Sequence, residues 1–471
     1  MNVAICFFGK QISDLYLNNE RVIIIDKHGW LVLINGRRTL IGNDYFQPGE
    51  YSYQFGTVLN QLRENMPTIS RWNSKGDTYE QILRRAARQV LCLATGLKYY
   101  GVNRCILSTG VNHHLDSTIL ELAGRLSSIP RIYLYVINIS GRLLPLIQGE
   151  CISSRQALGQ EISIYDASLV VSEFSLRARQ NQTPLIGGII LKTDITNYYR
   201  ALLVSMFYDF RSFLRMIKNS ILPNKFENDY SYTTGSYPFQ NINQVIAQRT
   251  GLYYYEKRMT DIANSSHSGM KLIIMAHFQP EASSFPEGGS LWNHIDLVYK
   301  LRSLGYNKNL YYKEHFASWL YFSSIGATQV GAYRDKHYYV HLEALNCFFI
   351  QDKIGKKFGG SNCQEFLPVT ITGSVAVERA LNGLHTIVTG YPWYLGLPGV
   401  IHLNDIKDLN NLSADLLEFD ENIALSAHQF LVSLLSKKTL TNATGIGLTG
   451  ILDEGLLEDF KNEFDQLLYS F

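Results

Sequence analysis

The residues best placed to do chemistry lie in the second half of the chain, each set following a short expected strand. His277, Gln279, Pro280 and Glu281 come directly after five apolar residues at 272–276, a run of buried-strand length that ends abruptly in polar positions. Lys313-Glu314-His315 follows a short strand expected at 309–312, Thr372-Gly373-Ser374 one at 368–371, and Thr389-Gly390 one at 385–388. Residues 375–381 read as a helix, which puts Ser374 at its N-terminus and makes an anion site there: amides without helical partners and the positive end of the dipole, worth about 0.3–1 kcal/mol for one exposed charge. Gly373 permits close approach, Val375 opens the helix, and Glu378 lies one turn on, within reach of the ribose of a nucleotide whose phosphate rests on Ser374. His277 and His315, with an unperturbed pKa near 6.5, can donate a hydrogen bond or a proton to a departing phosphate, and Lys313 adds charge. The plain readings stand beside these: Ser374 as a simple N-cap, Glu378 as a solvated helix residue, each histidine as a satisfied structural one.

Parallel strands with helical connections are what would bring such loops to one rim, because in open α/β sheets ligands sit outside the carboxyl ends of the strands. Residues 291–304 carry apolar side chains at helical spacing before Gly305, and further strands are expected at 337–340 and 346–350. The first half repeats the pattern. Strands are expected at 3–8, 21–25 and 30–34, with Asn35-Gly36 as a hairpin signal. A helix over 78–99 ending near Gly96, a strand at 104–107, a helix at 117–126 and a strand at 131–137 make a parallel βαβ unit. His113, His114 and Asp116 fall in its polar loop, where Asp116 and Ser117 could equally cap the helix. Residues 198–221 read as a helix with Arg200, Arg211, Arg215 and Lys218 among aromatics. That face suits either an anionic membrane surface or ordinary solvent. Residues 223–255 lose apolar periodicity and read as an irregular linker, which sets the domain boundary near 265. Two amphipathic helices, at 423–435 and 456–468, occupy 422–471.

At 471 residues the chain suits two Rossmann-like α/β domains, 1–265 and 266–471. Lysine plus arginine against aspartate plus glutamate is 43 to 41, which removes the electrostatic case for nucleic-acid binding. Six scattered cysteines without a Cys-x-x-Cys pair are expected to be reduced and mostly buried. The first ten residues lack a basic segment ahead of their apolar run, and no apolar run approaches the roughly 18 residues of a membrane span. A cytoplasmic protein is expected, soluble or peripheral at the inner membrane face. No Asp-x-Asp and no metal-spaced His/Cys/carboxylate cluster occurs, so neither a metal nor a cofactor is expected.

The ordered set His277-Phe278-Gln279-Pro280-Glu281 with Pro286 and Gly288, Lys313-Glu314-His315, the run from Thr372 to Gly383, and Thr389-Gly390 with Tyr394 and Gly396 resembles the capsule polysaccharide biosynthesis family of glycosyltransferases, relatives of bacterial Kdo transferases. The resemblance covers about residues 270–400. It implies a GT-B fold: two Rossmann-like domains facing a cleft, the second holding a nucleotide sugar, the first an acceptor, with C-terminal helices crossing back. It implies donor-site roles for His315, Ser374 and Glu378, a cleft lined by Gln279, Pro280, Glu281 and Gly390, and a CMP-linked donor. Phe316 stands where the family usually has proline, and the first half lacks the acidic-Gly-aromatic-x-Arg signature of the bacterial Kdo transferases. The expected activity is transfer of a sugar, Kdo or a related acidic sugar, onto a surface glycan or glycolipid. His277 or Glu281 would act near the reacting carbon, and Asp116 or His113 would serve as base or nucleophile. A nucleotide-sugar epimerase of similar build and a non-catalytic glycan-binding scaffold, its 30 Tyr, 23 Phe and 5 Trp stacking on sugars, are the alternatives.

Overall fold

The computed structural model describes residues 2–6, 16, 19, 21–25, 31–34, 37–40, 56, 60, 62–63, 79–108, 115–136, 143–146, 164–179, 195–221, 240–259, 270–279, 288–319, 330–350, 366–437 and 454–469. The α/β class read from the sequence holds. Seven strands form the first sheet: β1 (Asn2–Cys6), β2 (Val22–Ile25), β3 (Leu31–Ile34), β4 (Arg37–Leu40), β5 (Val102–Ser108), β6 (Arg131–Val136) and β7 (Leu143–Leu146), in the order β4-β3-β2-β1-β5-β6-β7. The four middle strands are parallel, whereas β3, β4 and β7 run antiparallel to their neighbours. Ile34 pairs with Arg37 in the antiparallel register expected from the hairpin signal, and Asn35 and Gly36 themselves lie outside the described residues.

The second sheet is wholly parallel. Its strands are β8 (Lys271–Met275), β9 (Leu310–Lys313), β10 (Cys347–Phe349), β11 (Phe366–Thr370), β12 (Thr386–Val388) and β13 (Val400–His402), in the order β10-β9-β8-β11-β12-β13. Counted within the sheet this is 3-2-1-4-5-6, the doubly wound order, and the strand order reverses between β8 and β11. Every residue of β11 is buried, as are the first four of β8, as expected for strands covered on both faces.

Helices α1 (Tyr79–Tyr99) and α2 (Leu115–Leu126) pack together beside the first sheet. The α1 helix runs through Gly96 and stops at Gly101, whose φ of +60° is the left-handed conformation that glycine adopts at least cost. Asp116 and Ser117 lie inside α2, so neither is its N-cap. Then follow α3 (Ile164–Arg179), α4 (Ile195–Ile221) and α5 (Gln240–Arg258). The last corrects the expected linker at 223–255: from residue 240 it is a long helix, and 223–239 lies outside the described residues. Its buried positions are Asn241, Val245, Gln248, Gly251, Leu252 and Tyr255, a true helical stripe built half from amides and a tyrosine. The α4 residue Asp209 caps it, accepting from the Asn241 and Ile242 amides at 3.2 and 3.1 Å.

Around the second sheet come α6 (His294–Ser303), α7 (Val330–Tyr333), α8 (Lys336–Ala344), α9 (Val375–Ala380), α10 (Glu421–Lys437) and α11 (Glu454–Tyr469). The α8 helix replaces the strand expected at 337–340: Asp335 caps it through the Tyr338 amide at 2.8 Å and buries Tyr338, Tyr339 and Leu342. Packing outweighs the strand preference of a His-Tyr-Tyr-Val run. The α10 helix packs on α3, and in α11 Asp465 accepts from the Tyr16 hydroxyl at 3.1 Å while Phe464 meets the Tyr16 ring edge-on. Cys92, Cys105 and Cys347 are free and buried, and burial pushes the Cys105 and Cys347 thiols up to about 12.

Candidate functional site

With all six strands of the second sheet parallel, the segments after β8, β9, β11 and β12 emerge on one edge. They carry Ala276 to Gln279, Glu314-His315, Ile371 to Ser374, and Thr389-Gly390. The centre of this rim is the reversal between β8 and β11, and His277 bridges it. Its Nε2 accepts the Thr372 amide at 3.1 Å and lies 3.1 Å from Thr370 Oγ1. A ring nitrogen that accepts an amide carries no proton, so Thr370 donates to the same atom and Nδ1 is the protonated nitrogen. Burial, assisted by the Arg334 charge, lowers the His277 pKa to about 4, which keeps the ring neutral. His277 therefore enters the site as a link between two loops. The nitrogen that meets the Thr372 turn has no proton to give.

Under this link is a buried ion pair that the sequence reading missed. Arg334 and Glu314 have fully buried side chains, with Nε 2.9 Å from Oε2. The other guanidinium nitrogens donate to Gln279 Oε1 at 2.7 Å, Tyr333 O at 3.0 Å and His277 O at 2.9 Å, and the Tyr338 ring centroid is 4.5 Å from Cζ. Glu314 accepts from Tyr312, Tyr339, Ser318 and the His315 amide at 2.7–3.1 Å. Burial opposes the Arg334 charge, but Glu314 and the surrounding tyrosines overcome it and raise the pKa. Charges this deep persist only when paired and hydrogen-bonded; here Arg334 Nε meets Glu314 as an ion contact without hydrogen-bond geometry, and the other two guanidinium nitrogens supply the hydrogen bonds. Gln279, expected to line a cleft, is spent here: its Oε1 serves Arg334 and its Nε2 donates to Trp292 O at 2.7 Å. His294 Nε2 accepts the His277 amide at 3.1 Å, which fixes the first residue of the loop from behind.

Arg334 is set in place by a crossing of α5 and α7. A Cβ on Gly251 would run into Arg334 O, and one on Gly331 into Gln244 O. Only hydrogen at both positions lets these backbones approach so closely.

The outer wall is His315, Lys313 and the turn before α9. His315 Nδ1 accepts the Ala317 amide at 3.2 Å, leaving Nε2 as the protonated nitrogen. Burial above all, then the nearby His277, Lys313 and Arg334, pushes its pKa down to about 3. This is a neutral donor, with its ring 6.1 Å from that of Phe278. In the turn, the Thr372 and Gly373 amides are used internally, on His277 Nε2 and on Thr370 Oγ1 at 3.2 Å. Among the described residues, nothing accepts from the Ser374 and Val375 amides. Ser374 makes no capping bond; its Oγ points to Glu378 Oε1 at 3.5 Å, so these two are neighbours as expected. The Tyr394 hydroxyl holds Gly373 O at 2.6 Å, and a Cβ on Gly373 would sit 2.5 Å from Thr370 Oγ1. On the next strand, the Gly390 amide donates to Ile371 O at 2.9 Å, and the buried Thr389 Oγ1 has no partner among the described residues.

The fold thus brings His277, His315, Lys313, Thr372, Gly373, Ser374, Val375, Glu378 and Gly390 to one rim, with Gln279 beneath it. Asp116 lies in the first turn of α2, beside the other sheet. His113, Pro280 and Glu281 lie outside the described residues. What the arrangement offers is a row of neutral or positive donors: two free amides, a serine hydroxyl, a neutral imidazole N–H and a lysine, with one carboxylate, Glu378, one turn away. That set fits an anion joined to a polyol. Compared with known proteins, the chain matches no family model, and no curated protein matches it.

Proposed function

We propose that this chain is a glycosyltransferase of GT-B build that moves a sugar from a nucleotide donor onto a surface glycan or glycolipid without a bound metal. The observation that carries the reading is the coincidence, at the reversal point of a 3-2-1-4-5-6 parallel sheet, of the anion-binding donors after β9 and β11 with a carboxylate one helical turn away. The motif resemblance to capsule polysaccharide transferases supports the same reading. So do the packing of α10 on α3 and of α11 on Tyr16, which carry the chain from the second sheet back to elements of the first. In this mechanism the Ser374 and Val375 amides, the Ser374 hydroxyl, the His315 N–H and Lys313 meet the charge that develops on the departing phosphate. Glu378 holds the ribose. His277 keeps the Thr372 turn in register, and Glu281, Asp116 or His113 supplies the base or nucleophile on the sugar side. A CMP-linked acidic sugar is the donor that the resemblance favours.

The test is thermal stability of the purified protein against CMP, UDP, GDP and dTDP. A ligand at about 100 times its dissociation constant adds roughly 2.7 kcal/mol to the folded state, readable as a raised melting temperature. CMP should give the largest shift. Ser374→Ala and Glu378→Ala should each weaken binding about tenfold, in line with roughly 1.4 kcal/mol for a hydrogen bond to a charged group. Absence of any shift with all four nucleotides at millimolar concentration would refute the reading, and donor turnover without acceptor would replace transfer by epimerisation.

A further inference from the structure

Helix α4 presents to solvent a stripe that the donor site does not use. Tyr199, Leu203, Phe207, Phe210, Leu214 and Ile217 are all exposed, Leu203 to 66% and Phe207 to 62%. Soluble surfaces carry such residues singly, not in a row. At 3.6 residues per turn they fall within roughly 120° of the helix circumference and extend for about 27 Å. Ala201, Ser205 and Asp209 lie on the far side and are buried against α5. One edge of the stripe is basic: Arg200 and Arg211 are exposed there. Asp209 is the one acidic residue of α4, and it is turned inward as the cap of α5.

We propose that α4 docks the protein on the surface of an anionic lipid bilayer, its apolar stripe in the boundary between headgroups and acyl chains and its basic edge on the lipid phosphates. An apolar arc flanked by arginine is the pattern of a helix that lies in this interface, where cations near an anionic surface strengthen the binding. Among the described residues no helix is long and apolar enough to cross a membrane, which separates lying on the bilayer from spanning it. A second copy of the chain suits the face less well, because its basic edge would meet another with no acidic residue of α4 exposed to pair with it. The inference rests on α4 alone and is independent of the nucleotide-sugar reading.

Flotation of the whole chain with vesicles of phosphatidylcholine, and of phosphatidylcholine mixed with phosphatidylglycerol, tests it. The protein should float with the mixed vesicles and far less with phosphatidylcholine alone, and added salt should weaken the binding. Phe207→Ser with Phe210→Ser should lower the partition on mixed vesicles about a hundredfold, and Arg211→Glu about tenfold. These side chains are exposed, so the variants should keep the wild-type melting temperature, and both should bind nucleotide as the wild type does. Absence of flotation with mixed vesicles, binding indifferent to phosphatidylglycerol, or undiminished flotation of the double variant would each overturn the proposal. So would a wild-type dimer in sedimentation that the double variant makes monomeric while neither floats, since a second copy would then cover the stripe.

Discussion

Replacing Arg334 by methionine should destabilise the protein by about 3–5 kcal/mol, because it strands the Glu314 carboxylate, buried and facing tyrosine hydroxyls, without its counter-charge. The midpoint of urea denaturation measures this, and a loss below about 1 kcal/mol would mean that the pair is not the keystone described. Adding Glu314→Leu to Arg334→Met should recover part of the loss, since two apolar groups are cheaper to bury than one lone charge. The Lys-Glu-His triplet was legible as a rim element because it follows a short expected strand, but its middle residue was not. Lys313 and His315 stay half-buried, whereas Glu314, one residue past the end of β9, is buried on Arg334. Arg334 had no local signal at all, as arginine is among the residues least often buried and two of its partners, Gln279 and His277, lie 55 and 57 residues away in sequence.

The α5–α7 crossing carries the next expectation. Gly331→Ala should force α7 away from α5 and cost about 1–3 kcal/mol as overpacking, although alanine is the better helix former. Because α7 ends next to Arg334, the same change should loosen the hold on His277 and Gln279 and weaken nucleotide binding. A stabilised variant with unaltered binding would show that the two backbones do not touch. Elements with conventional patterns were readable: β8 and β11 as apolar runs, α6 from its spacing and from Gly305, whose φ is +90°. The α5 helix was not, because its buried stripe contains Asn241 and Gln248, satisfied by Asp209 and by Ser318 O at 2.6 Å, and polar core residues erase the hydrophobic period. The sign of α8 was present in Asp335, a helix cap directly ahead of the tyrosines.

For the whole molecule, two buried imidazoles, His277 and His294, and the half-buried His315 set an acid limit. The pKa of His277 is lowered to about 4 and that of His315 to about 3, both by burial first, and His294 is lowered well below its ordinary value by burial and by Arg334. Each binds a proton more readily in the unfolded chain, near pH 6.5, than in the folded one. Stability therefore stands in full above about pH 6.5 and falls as the pH drops towards the folded values, at about 1.4 kcal/mol per pH unit for a fully buried imidazole such as His277. Denaturation midpoints between pH 7 and 5 should decline, and a His277→Gln variant should decline less steeply; a flat wild-type profile would contradict neutral burial. At this scale the α/β class and the parallel strands were readable from short apolar runs, while strand order was not, since β8 and β11 pair through contacts that no local pattern encodes. That distance along the chain has a further cost in folding. Leu272 to Ile274 emerge from the ribosome long before Leu367 to Val369, their partners in the sheet. Until then β8 has β9 on one side and, on the other, an open apolar edge that invites the wrong neighbour. The link from His277 to Thr372, 95 residues apart, closes only when that edge is covered, so the site is among the last parts of its sheet to exist.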